Sequence, residues 1–355
     1  MFSELADAEK TGMNRHLKHL MESTIFLGSR LILRNRTKRL VLAYHNLAES
    51  SHGTLDARKS YVAPDLNVTV DALEKQLHWL AGFAEFVSLD RMLADMEKPL
   101  PSGRWQVAVT FDDAYANVIK LGLPLLREYT APTTIFVSAA FVEDRTLLPW
   151  WDLLAFIAAA WNDDFEVTVD GETMTFNLQK EIEKSRFLLR LSTAFYNAAS
   201  AAKQTMQHTL EEKVKKRMPL PQNDIVSPRM LGEATSMPGV DIGSHTATHI
   251  NTAKASVQEL RAECKGNQDK LHTWTGRNAR YFAYPYGKPA FRNATVASEL
   301  KRFGFDAAFT TDYGYLTPHT DRFEIPRVSV EGAWRMSTFK SRTASAALYG
   351  RIMRY

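Results

Sequence analysis

Two clusters of residues in this chain could do chemistry. Asp112 and Asp113 stand side by side at the end of a stretch in which Val107, Val109 and Phe111 alternate with smaller residues, as in a buried strand. Adjacent carboxylates repel, and burying both without compensation is costly, so a bound cation is one efficient answer. His245 and His249 follow a second strand-like stretch, 240–245. Four residues apart, they would share a face of one helical turn. The zinc-protease motif HExxH uses that spacing, but Thr246 stands where its Glu would be. One Asp and two His would leave room for water and substrate on a metal, a common plan for a catalytic site. The competing explanation is structural: aspartates at a strand end cap the next helix, and the histidines are a surface residue and a cap.

The elements around these residues alternate. The stretch 39–45 reads as a first strand with His45 at its C-terminal end, where site residues of parallel α/β folds collect. Thr69 is placed to cap a helix running to Glu85, and Ser88 to cap another to about Met96, with a short strand at 86–87 between them. The strand bearing the two aspartates follows, then a helix from 116 to about 129 that Pro124 kinks or starts, and a strand at 133–137. Strand–helix alternation predicts a parallel α/β core. It breaks at 142–226, where an apolar helix opens at 148, a hairpin turns on Asp170-Gly171, and charged helices fill about 177–218. That segment reads as a helix-rich insertion without a chemical motif. The rhythm resumes with helices at about 256–274 and 295–303 and strands at 280–284 and 307–310, and Arg327 lies in a last short strand. The expected organisation is a basic helical segment 1–37, a barrel of 38–141 and 227–330 around the insertion 142–226, and a basic C-terminal helix 331–355.

Composition narrows the function classes. The 355 residues are 45% hydrophobic and 24% charged, ordinary for a globular protein. The net charge of +4 makes no demand for nucleic acid, and none is expected as a partner. Cys264 is the one cysteine, which excludes an intramolecular disulfide and a Cys-rich zinc site. Glu4, Asp7 and Glu9 stand where a secretory leader would be basic and then apolar, so a cytoplasmic protein is expected. The basic stretch 13–39 is either a solvated helix or a segment touching an anionic membrane surface. The second alternative would place the protein peripherally on the inner membrane face.

Three motifs in order, Thr110-Phe111-Asp112-Asp113, Ser244-His245-Thr246-Ala247-Thr248-His249 and Tyr284-Pro285-Tyr286-Gly287, resemble those of polysaccharide deacetylases, the carbohydrate esterase group sharing the NodB homology domain. The resemblance covers about 38–330 apart from the insertion. It implies a distorted (β/α) barrel with fewer than eight strands, and metal-dependent hydrolysis of an N-acetyl group on an amino sugar of a glycan or oligosaccharide; the expected cytoplasmic location and the basic termini suggest a lipid-linked precursor as an alternative substrate. By motif position Asp113, His245 and His249 would hold a divalent metal ion, for which Zn2+ suits the ligand set. Asp112 would be the base acting on water, and the Tyr286 backbone N–H would help hold the oxyanion.

The chain departs from that pattern in places. The usual late Leu-x-His motif, which supplies the acid, is missing, and His319 lacks a strand context. His45 takes the part of the acid by similarity to members with permuted motif order, or else orients substrate or a ligand. Ala283 stands where an Arg normally pairs with the catalytic Asp; Arg327, or failing it Arg280, could substitute. Ala114 replaces the usual Gly and is expected to take an ordinary φ at a helix start. Tyr115, Tyr281, Tyr284, Tyr286, Trp150, Trp151 and Trp334 either meet sugar rings or belong to the core. The competing functions are hydrolysis of another amide on the same scaffold, such as an N-formyl sugar, and non-catalytic glycan binding.

Overall fold

The computed structural model describes residues 38–49, 64–100, 104–169 and 171–346. The expected N-terminal helical segment and the last residues of the expected C-terminal helix lie outside these. The strands are β1 (Arg39–Tyr44), β2 (Asn46–Ala48), β3 (Asn67–Thr69), β4 (Ala84–Phe86), β5 (Trp105–Phe111), β6 (Thr133–Val137), β7 (Asp164–Val169), β8 (Glu172–Asn177), β9 (Val240–Ser244), β10 (Tyr281–Ala283), β11 (Ala307–Phe309) and β12 (Val328–Ser329).

The main sheet runs β11-β10-β9-β6-β5-β1-β12, with β4 also paired to β5, and all its pairings are parallel. Every residue of β1, β5 and β6 is buried, the near-continuous apolar pattern of strands covered on both faces. Ile325, just before β12, makes a parallel bridge to Phe309: Thr310 N donates to Ile325 O at 2.8 Å and Ile325 N to Ala308 O at 3.0 Å. The two edges of the sheet therefore meet, which makes the expected distorted (β/α) barrel.

Local chemistry sets the helix starts. Thr69 and Ser88 accept from Ala72 N and Arg91 N, capping Val70–Ala81 and Leu89–Ala94 as the sequence predicts. The first helix stops short of Glu85 because Ala84, Glu85 and Phe86 pair with Trp105, Gln106 and Val107. Pro124 follows directly on the wide helical turn Val118–Gly122 and sits in the first turn of Leu123–Glu128. At the other end the helix Met336–Ala344 packs its Phe339 on Trp79.

The segment after residue 142 builds a hydrophobic core of its own around Leu153, Phe165, Phe187 and Phe195. The antiparallel β7–β8 hairpin and the helices Trp150–Ala160, Glu181–Asn197 and Ser200–Lys215 form it. Asn223 fastens it to the barrel by donating to the carbonyls of Phe141, Asp144 and Leu147 at 3.0, 3.2 and 2.9 Å. No helix among the described residues is long and apolar enough to cross a membrane.

Candidate metal and catalytic site

The motif residues gather at the C-terminal ends of neighbouring strands. Asp112 and Asp113 follow β5, His45 follows β1, His245 follows β9, and Tyr284 to Gly287 follow β10. Asp113, His245 and His249 are all buried, and their ligand atoms lie within 4.8 Å of one another. Asp113 Oδ1 is 3.7 Å from His245 Nε2 and 3.6 Å from His249 Nε2.

His245 Nδ1 lies 2.8 Å from the Ala283 carbonyl. A carbonyl only accepts, so Nδ1 carries the proton and Nε2 turns its lone pair toward Asp113. The two histidines do not share a helical turn. They stand on an irregular loop, in which Thr246 and His249 take φ of 60° and 56°. Fixed groups replace the missing helix. Ser138 Oγ donates to His245 O at 2.9 Å, and the Glu263 carboxylate accepts from Thr248 N and Oγ1 at 2.8 and 2.7 Å. Asn267, fully buried, donates to Val137 O and Ser244 Oγ, both at 2.8 Å. Glu263 and Asn267 lie in the helix Val257–Thr275, and no motif spacing marked either.

Asp112 stands beside the same site and is held by a cation of the chain itself. The Arg327 guanidinium, fully buried, grips it with two bonds of 2.8 and 2.7 Å and also donates to Thr310 O at 2.9 Å. Burial pushes the Asp112 carboxyl up, but Arg327, with His245 and His45, outweighs it and holds the group down at about 2. Asp113 has no such partner: burial and the adjacent Asp112 push it well above the usual carboxylate range. Arg280 pairs with Asp90 and Asp306 on an exposed surface instead. His319 is exposed in the loop after Leu316, whose N–H donates to Arg39 O at the start of β1, the opposite end of the barrel.

Asp113 and Ala114 both take left-handed backbone, with φ of 68° and 59°. Ala114 is thus not the ordinary helix start the sequence suggests, and it occupies a conformation that favours glycine. The cross-strand bonds Val226 N to Ala114 O at 3.0 Å and Ala116 N to Asp224 O at 2.7 Å hold the turn in place. Ala114→Gly should therefore raise stability by about 0.5–1 kcal/mol, since relief of left-handed strain exceeds the added freedom of the unfolded chain. Thermal melting tests this, and an unchanged or lower midpoint would refute the strain.

Gly287 is required twice over. Its φ is 66°, and a Cβ there would fall 2.3 Å from Thr311 Cγ2. Arg292 donates to Gly287 O at 2.8 Å and pairs with Asp312, so the loop carrying Tyr286 is pinned. Tyr286 itself has φ 64°, and its N–H meets no acceptor among the described residues.

His45 lies within the electrostatic reach of Asp112, Arg327 and His245, and burial is the main cause that pushes it down to about 4. Its Nδ1 is buried without a hydrogen-bond partner. The aromatic residues divide. The Trp151 ring meets His249 edge-on at 4.6 Å, and Trp150 and Tyr196 pack on Tyr286. Tyr115 donates to Asp152, Tyr284 to Phe323 O and Tyr281 to Asp90, so these hydroxyls are bound within the protein. Trp334 packs on Tyr313 and Arg342. The segment 142–226, motif-free in sequence, thus supplies a wall of the site, including the buried Lys203, which burial and then Lys254 push down to about 8.

These residues fit a metal ion. Asp113 Oδ1 is buried and unpartnered, aimed between two imidazole nitrogens. Two donors on one tetrahedral ion with bonds of ~2.0–2.1 Å lie roughly 3.3 Å apart, close to the separations here. A cation would also reverse the electrostatics that now favour a protonated Asp113. One carboxylate and two imidazoles suit Zn2+ and other first-row divalent ions.

Comparisons with known proteins agree with this architecture. Among solved structures, the chain is similar to the Streptococcus pyogenes deacetylase PplD, with 16% identity, a TM-score of 0.55, and 87% of this chain and 98% of that one covered. It is also similar to IcaB from Ammonifex degensii, at 18% identity, TM-score 0.53, and 88% and 97% coverage. A polysaccharide deacetylase from Bacillus cereus matches at 19% identity and TM-score 0.51, with 86% and 69% covered. No curated protein sequence matches significantly. At these identities the structural neighbours speak for the fold. The sequence profile described as polysaccharide deacetylase matches residues 101–308, more than half of the chain and inclusive of all three motifs, and this protein therefore belongs to the polysaccharide deacetylase family.

Proposed function

We propose that this protein removes the N-acetyl group from an amino-sugar glycan or its lipid-linked precursor, using a divalent metal ion, Zn2+ in the first place, held by Asp113, His245 and His249. The observation that carries this reading is the buried, preformed ligand set beside a second carboxylate, Asp112, kept ionised by Arg327. When bound, the ion supplies Lewis acidity, which an amide needs because its carbon is a poor electrophile and neutral water a poor nucleophile.

The chain's own residues divide the remaining work. The Asp112 carboxylate takes the proton from the attacking water, and Arg327 keeps it ready to do so by holding it charged. The free N–H of Tyr286 donates to the carbonyl oxygen as negative charge gathers there. His45 delivers a proton to the leaving nitrogen. It is neutral at rest, so the proton it delivers is the one that Asp112 has taken from the water, and both groups end the reaction as they began it.

The test is acetate release from N-acetylated oligosaccharides and lipid-linked glycans, with and without chelation and metal readdition. Mass spectrometry would read the mass lost. Expected are acetate release that stops on chelation and returns with metal, and much lower metal content in Asp113→Ala, His245→Ala and His249→Ala. Loss of formyl would replace the reading by a deformylase, and glycan binding with less than about half an equivalent of metal would replace it by a non-catalytic glycan-binding protein.

A further inference from the structure

Tyr286 is where the barrel and the insertion meet. Its backbone is left-handed, at φ 64°. Its ring is enclosed by Trp150, Tyr196, His249 and Phe291, at centroid distances of 6.3, 5.1, 4.6 and 4.9 Å. Its hydroxyl accepts from Trp150 Nε1 at 3.1 Å and from Lys203 Nζ at 3.0 Å, and donates to His249 O at 3.3 Å. The Lys203 ammonium also sits 4.8 Å from the ring centroid.

This is an expensive arrangement. Lys203 is buried, and the charge that acts on it is another ammonium, that of Lys254, not a carboxylate. A lysine placed only to stabilise the helix Ser200–Lys215 would leave its ammonium in water, as its neighbours on the exposed face do. Here the cation is desolvated to meet one phenol oxygen and one ring. That phenol belongs to the residue whose backbone N–H meets no acceptor among the described residues and whose ring stands beside His249.

We propose that Lys203 and Trp150 are positioning residues: by gripping the Tyr286 hydroxyl, the insertion holds the Tyr286 backbone N–H in the orientation that donates to the reacting carbonyl oxygen. The inference rests on the deacetylase reading for what that N–H does. It makes residues 142–226 a working part of the catalytic centre.

A double-mutant cycle tests the grip. Lys203→Met and Tyr286→Phe should each lower kcat by about tenfold or more with KM within about twofold, and the double variant should be no slower than Tyr286→Phe alone. Trp150→Phe, which removes the N–H and keeps a ring, should repeat the kcat effect and stands in should Lys203→Met fail to fold. A second readout needs no turnover. In protein labelled with 15N-tyrosine, the Tyr286 amide signal, identified by its loss in Tyr286→Phe, should shift or broaden in Lys203→Met and Trp150→Phe. Multiplying effects in the cycle, unchanged kcat in the single variants, or an undisturbed amide signal would overturn the proposal. A wild-type protein that releases no acetate from any substrate would count against the deacetylase reading alone, and the amide signal would still decide the grip.

Discussion

Asp112→Asn should keep its metal and lose roughly two to four orders of magnitude in turnover. Asn can neither take a proton from water nor carry the charge that favours doing so. The metal is expected to stay because the proposed ligand atoms are those of Asp113, His245 and His249, whereas both oxygens of Asp112 are bound by Arg327. Asn keeps one acceptor oxygen for that guanidinium but loses the charge, so some stability is lost as well, and the assay belongs well below the melting midpoint. Metal content by elemental analysis, set beside turnover with N-acetylated substrate, separates the two roles. A fully active Asp112→Asn enzyme would remove Asp112 from the chemistry, and a metal-free one would make it a ligand.

Arg327→Met should destabilise the protein by about 3–5 kcal/mol, because it leaves a buried carboxylate without its countercharge. The same change should move the acid limb of the rate profile upward in pH. Burial alone raises the Asp112 pKa; Arg327 is the strongest of the charges that bring it down to about 2. Without the guanidinium, burial dominates, and the base is protonated at pH values where it is now charged. The sign for stability follows from the depressed folded pKa. Asp112 contributes stability that is fully present above the unfolded carboxylate value of 3.8 and is lost as pH falls through about 2. In Arg327→Met that contribution disappears, so its melting midpoint should fall less steeply on acidification through that window. Urea melts at several pH values and a pH–rate profile check both halves. An unchanged acid limb would mean that Arg327 serves only packing.

Much of the site was legible because its chemistry is carried by residue type at strand ends. The alternating strand of Val107, Val109 and Phe111 announces a buried β5, and charged residues directly after it must face either water or a cation. Arg327 could be named as the partner of a catalytic Asp from the absence of Arg at Ala283, although some 215 residues separate it from Asp112. Backbone conformation was less legible. The spacing of His245 and His249 suggested a helical turn, but Thr246 and His249 in left-handed backbone bring both rings to one ion site from a loop. Ala114 stands where the usual Gly hints at a positive φ, but alanine is the residue that most favours the right-handed helix, and the ordinary φ expected from it was wrong.

By itself, the sequence determined the strand–helix alternation of a parallel core, the helix caps at Thr69 and Ser88, and the identities of the carboxylates and imidazoles at the strand ends. These depend on periodicity and on side-chain chemistry over a few residues, which any local reading contains. Only the tertiary structure decided that the insertion reaches the site. Lys203 lies in a helix whose charged pattern looks solvated, and Trp150 reads as core. Their meeting at the Tyr286 hydroxyl comes from packing a separate hydrophobic core against the barrel, over sequence separations of 83 and 136 residues. Contacts of that range leave no periodic signature in either segment.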